Sequence, residues 1–183
     1  RVLFRSLLVI IATSHAVNIT DGIDGLLASQ TNIILTFFLV FVSASHYFIP
    51  FHDQFIRSGV SSLLQGLNIC IAIFLLIFNR FPNILMMGDA GAFFIGGLLS
   101  GLFLLYKMEL LLILCGIVFV IETISVIIQS LYFKRYKKRF FLFAPIHHHF
   151  EKKGYHETTI VKYAALITVS GQFIVYVIIN FIL

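Results

Sequence analysis

LLLILCGIVFVIETISVIIQSLYF, residues 110–133, runs for 24 residues with a single charged side chain, Glu122. An α-helix rises about 1.5 Å per residue, so about 20 apolar residues cross the ~30 Å hydrocarbon layer of a bilayer. Nothing in the stretch alternates apolar with polar, as the strands of a membrane barrel do. It reads as a membrane-spanning helix.

Five further segments share that character: residues 3–17, 26–49, 62–78, 91–106 and 163–183. The whole chain is 183 residues long, 60% hydrophobic and 11% charged, with a mean hydropathy of +1.01. Ordinary soluble domains are about 45–50% apolar and about 25% charged. The expected fold is therefore all-α: a multi-pass transmembrane helical bundle of about six helices, forming one membrane domain over residues 1–183. The first segment lacks the short apolar region and small-residue cleavage site of a secretory signal. Cys70 and Cys115 lie inside apolar runs without metal-ligand spacing, so they read as packing residues.

Six crossings place the connections alternately on two sides. Residues 18–25, 79–90 and 134–162 share one side. It holds nine lysines and arginines: Arg80, Lys134, Arg135, Lys137, Lys138, Arg139, Lys152, Lys153 and Lys162. The other side holds four, Arg1, Arg5, Arg57 and Lys107. Basic residues accumulate on cytoplasmic loops, so the first side is expected to be cytoplasmic. Asp21, Asp24, Asp89 and His147–His148–His149 all fall on it.

Three clusters carry the chemistry. The first is Asn18-Ile19-Thr20-Asp21-Gly22-Ile23-Asp24-Gly25, two carboxylates in a glycine-punctuated turn. Such a turn leaves backbone N–H groups free for an anion or serves simply as an interfacial cap. The second, Met86-Met87-Gly88-Asp89-Ala90-Gly91, sets Asp89 at the start of a helix containing Gly96, Gly97 and Gly101. There it is either a cap or a hard oxygen ligand of the kind Mg2+ takes beside substrate phosphates. The third is Pro145-Ile146-His147-His148-His149-Phe150-Glu151-Lys152-Lys153-Gly154, preceded by the basic run 134–139. Three adjacent side chains cannot converge on one zinc ion, whereas histidines beside lysines suit a diphosphate or anionic headgroups. Within residues 110–133, Glu122, Ser125 and Gln129 form a polar stripe expected to face the bundle interior or a cleft. His15, His46 and Gln172 read as packing residues.

These blocks, with APIHHHFEKKGYHE at residues 144–157 the most discriminating, resemble the phospho-N-acetylmuramoyl-pentapeptide transferases. That family belongs to the polyprenyl-phosphate N-acetylhexosamine-1-phosphate transferase superfamily, and the resemblance extends along the whole chain. It implies a Mg2+-dependent enzyme of the bacterial cytoplasmic (inner) membrane. Phospho-MurNAc-pentapeptide would pass from UDP-MurNAc-pentapeptide to undecaprenyl phosphate, giving lipid I and UMP for peptidoglycan. It further implies Asp21, Asp24 and Asp89 as catalytic residues, Asp89 as the metal ligand, and Asn18, Asn79, Met86, His147, His148 and His149 as substrate-binding residues. A second copy of the chain is allowed as a partner, and no nucleic acid is expected.

Two features depart from the family pattern. Its N-terminal half carries an Asp-Asp pair and a lysine, and no adjacent aspartates occur here. The chain is accordingly expected to be the C-terminal half of a transferase of about ten helices, without turnover alone. The position three before Asp89, usually a phenylalanine suited to uracil, is Met86, which offers a softer contact with a ring. The rival readings are a cation transporter using the same acids, a related transferase for another hexosamine, and a scaffold for anionic lipid. Against the transporter, the acids gather at one membrane face, whereas transporter sites favour the midplane.

Overall fold

A computed structural model of the chain describes residues 2–44, 58–59, 62–63, 65–70, 73 and 88–182. Every regular element among them is a helix. They run α1 (Val2–Thr20), α2 (Leu26–Ala44), α3 (Gly88–Leu105), α4 (Glu109–Cys115), α5 (Ile117–Tyr136), α6 (Ile146–Lys152) and α7 (Glu157–Ile182). Among the described residues, four stretches are long and apolar enough to cross a membrane: Leu3–Thr20, Gly88–Leu105, Ile117–Tyr136 and Glu157–Ile179. Leu26–Phe41 is a shorter apolar helix. The described residues of the segment read at 62–78 are helical; its remainder, like His46, lies outside the described set.

The multi-pass helical bundle read from the apolar runs is the observed fold, with one revision. The run at 110–133 is broken at Gly116, whose φ of −98° and ψ of 30° interrupt regular helix between α4 and α5. Glycine is a poor helix residue, about 1 kcal/mol worse than alanine. At the same place α7 presses in, for a Cβ on Gly171 would stand 2.4 Å from the Leu114 carbonyl oxygen. The helix ends also extend beyond the apolar runs. α1 continues through Asn18 to Thr20, and α7 begins at Glu157, six residues before its apolar run. Polar residues near a helix end reach water or one another, so hydropathy alone underestimates length there.

α1 packs most extensively on α3. The two backbones nearly touch where Gly96 meets Ser14, a Cβ at Gly96 falling 2.5 Å from the Ser14 Cα. Small residues permit such approach in membrane bundles. Gly97 and Gly101, which as small residues would also allow close packing, face open space instead. The larger core joins Val17 of α1, Ile34 and Phe38 of α2, Leu99 and Phe103 of α3, Leu112 and Cys115 of α4, and Val175 of α7. Outside it stand Leu3, Phe4, Phe94, Leu110, Leu131 and Phe173, all well exposed. A lipid environment accepts those apolar side chains, since its hydrocarbon is as apolar as they are.

A smaller cluster decides where the site sits. Ile23, from the turn between α1 and α2, packs with Leu26, Val118 of α5 and Ala164 of α7. This pins the turn onto three helices and leaves its two flanking aspartates at the bundle's end.

Candidate active site

Four helix ends meet around that turn, the C-terminus of α1 and the N-termini of α2, α3 and α7, and the first turns of α5 pack against it through Val118. They carry the three clusters together. Asn18, on the last turn of α1, donates from Nδ2 to Asp89 Oδ1 at 3.0 Å. Asp89 stands in the first turn of α3, where the helix dipole favours a negative charge. Gly88 before it has φ +67°, a region that side chains with a Cβ rarely enter, and its backbone N–H faces the Asp21 carboxylate.

Asp21 feels three influences. Burial raises its carboxyl above the ordinary value of 3.8, the Gly88 N–H lowers it, and the neighbouring Asp89 charge raises it again. The outcome is a raised value, set chiefly by burial of the carboxyl with the Asp89 charge adding to it. Asp24 lies half-buried in the same turn.

The histidines divide their tasks. His147 is 1% exposed, with Nδ1 3.0 Å from Glu122 Oε2 of α5. The His147 backbone N–H donates to the same oxygen at 3.4 Å. The opposite edge of its ring abuts the aspartate turn, since a Cβ on Gly22 would fall 2.2 Å from His147 Nε2. His148, half-buried, pairs through Nδ1 with Glu151. His149 Nδ1 accepts the Leu142 backbone N–H at 3.1 Å. An acceptor Nδ1 leaves the ring proton on Nε2, so His149 presents a donor. The three neighbours thus take three different partners, as their adjacency required.

Gln129, about two turns beyond Glu122 on α5, accepts the backbone N–H groups of Phe140 and Phe141 at 3.1 and 2.9 Å. The polar stripe of α5 therefore folds the basic loop back over the bundle's end. Between α5, α6 and α7 lies a mostly apolar cavity of about 510 Å3, with Glu122, His147, Phe150 and Tyr163 among its walls.

Of the residues singled out from sequence, Asn18, Asp21, Asp24, Asp89, His147, His148 and His149 come to this one end. Asn79 and Met86 lie outside the described residues. Among the described residues no three histidine, cysteine or acidic side chains gather as a metal cage. Two partnerships escaped the sequence reading. Glu122 was legible as a polar position in an apolar helix, but its partner was not. Gly22 was legible as a turn glycine, but not as the floor beneath a histidine.

The family model for glycosyl transferase family 4 matches residues 2–107, more than half of the chain and all of the Asn18, Asp21, Asp24 and Asp89 cluster. The chain belongs to that family. It is 40% identical over 159 residues to the phospho-N-acetylmuramoyl-pentapeptide-transferase of Clostridium acetobutylicum, covering 87% of this chain and 47% of that protein. The protein of the same name from Dictyoglomus thermophilum is 41% identical, over 87% of this chain and 48% of its own. That from Corynebacterium jeikeium is 43% identical, over 92% and 49%. The chain thus spans about half the length of the curated relatives it matches.

Proposed function

We propose that this chain supplies the donor- and metal-binding part of a membrane transferase that makes lipid I. In that reading, phospho-MurNAc-pentapeptide moves from UDP-MurNAc-pentapeptide to undecaprenyl phosphate, and UMP leaves. The observation that carries it is the meeting of Asn18, Asp21 and Asp89 beside the half-exposed His148 and His149 at one end of an apolar bundle. The relatives named for this activity and the family's transferase character support it. The basic run 134–139, with its cytoplasmic orientation by charge count, supports placing a nucleotide donor there.

Phosphoryl transfer between anions depends on positioning and charge neutralisation more than on covalent chemistry. Asp89 and Asp21 would hold Mg2+, which fits a site of one or two carboxylates completed by substrate phosphates. The bound ion would neutralise the diphosphate charge. The mutual repulsion of these two carboxylates fits that donor set. Asn18 orients Asp89 by its hydrogen bond, and His149, with its proton on Nε2, can donate to a phosphate oxygen. The apolar cavity behind the histidines suits the hydrocarbon part of a polyprenyl phosphate. Residues outside this chain complete the catalytic set in this reading.

The test is UMP release by the full-length polypeptide in nanodiscs, given UDP-MurNAc-pentapeptide, undecaprenyl phosphate and Mg2+. Release that requires all three supports the reading; no release under these conditions rejects it. Turnover by the isolated chain would reject its incompleteness.

A further inference from the structure

Glu122 stands in the body of an otherwise apolar helix and is 4% exposed. A buried carboxylate is costly unless it is paired, and an acid within a membrane span is costlier still. Among the described residues its carboxylate is set against His147, Oε2 lying 3.0 Å from the ring Nδ1 and 3.4 Å from the backbone N. The ring is itself buried; neither ring nitrogen makes a hydrogen bond among the described residues, Nδ1 meeting Glu122 as a charge contact and Nε2 meeting no polar partner. That Nε2 edge faces Gly22, between Asp21 and Ile23, at a distance that admits no side chain. His147 is therefore a wedge, gripped by α5 on one edge and pressed against the aspartate turn on the other.

We infer that Glu122 is a positioning residue: it fixes His147 against the turn at Gly22 and so holds Asp21 and Asp24 in register with the segment bearing His148 and His149. The consequence for catalysis rests on the proposed transferase reading; the grip itself does not. Glu122 acts through His147, and its effect shrinks to the backbone N–H contact when that ring is absent. A merely space-filling role would behave in the opposite way, because an apolar residue of similar volume often replaces a buried charge without loss.

Two variants separate these alternatives. Glu122→Gln keeps an acceptor for the His147 backbone N–H, and Glu122→Met keeps the volume but has none. With the full-length protein in nanodiscs, Glu122→Met is expected to lower donor kcat/KM about tenfold or more, the scale of a lost hydrogen bond to a charged group. Glu122→Gln should retain most of the rate. Glu122→Met combined with His147→Ala should cost clearly less than the product of the two single losses, since only the backbone N–H contact is left to lose once the ring is gone. Met matching wild type, or losses that multiply in the pair, would overturn the inference. The same cycle read as melting temperature is independent of activity, and the two melting-temperature losses should again fail to add. Should the wild type release no UMP, the transferase reading fails and the melting cycle alone decides: additive losses overturn the grip, and non-additive losses sustain it.

Discussion

The two ends of α1 handle charge in opposite ways. At its start, Arg5 meets Glu109 at 2.9 Å, an ordinary ion pair between helix beginnings, with the arginine side chain 61% exposed. At its finish, Asn18 meets Asp89 while Asp21 is crowded by that same aspartate. One end pairs opposite charges; the other gathers two carboxylates held by the Asn18 amide and the Gly88 N–H. Self-sufficient charge ties helices together, whereas excess charge of one sign stores repulsion that a cation relieves. The difference is why the proposed donor and metal site is placed at the second end.

The comparison breaks most sharply at Asp89. Asp89→Asn is expected to reduce UMP release by about a hundredfold or more, the scale of a lost electrostatic contact in a transition state; near-wild-type release would remove Asp89 from the metal site. Next comes Gly22→Ala. Its Cβ would land 2.2 Å from His147 Nε2, and overpacking costs roughly 1–3 kcal/mol. A fall in melting temperature together with activity is expected, and an unchanged melting curve would show that the histidine yields freely.

A smaller effect sharpens the contrast through pH. The raised Asp21 carboxyl means that the folded chain holds that proton more tightly than the unfolded chain does. Its contribution to stability is present below the ordinary value of 3.8 and is lost as pH rises through the raised folded value. Without divalent cation, melting temperature should therefore decline above pH 3.8; Asp21→Asn should flatten that part of the profile, and Mg2+ should oppose the decline in the wild type alone. Thermal melts with and without Mg2+ measure this. The least effect belongs to the far end. Arg5→Ala should cost under about 1 kcal/mol, as exposed ion pairs do, and leave UMP release unchanged; a large loss of activity there would erase the distinction between the ends.

Much of this was legible before any coordinates. Runs of apolar residues set the spans, and their alternation put Asp21, Asp24, Asp89 and the histidines on one side. The break at Gly116 was less legible, because hydropathy is blind to a glycine inside an apolar run. Asn18 read as a loop residue, yet it lies on α1, where its helical position aims the amide at Asp89. The contrast among His147, His148 and His149 could not be read either: identical neighbours differ only in what the fold sets opposite each.

Hydrophobicity is additive along a chain, so the sequence by itself determined that this protein is a helical membrane bundle with its acids and histidines at one end. Contact is not additive. That His147 is gripped by Glu122, twenty-five residues away, and rests on Gly22 depends on how α5 and α7 close over the aspartate turn through Ile23. Only tertiary packing decided which charges meet a partner and which partner each takes, because partners that local sequence does not bring together meet only when the helices pack.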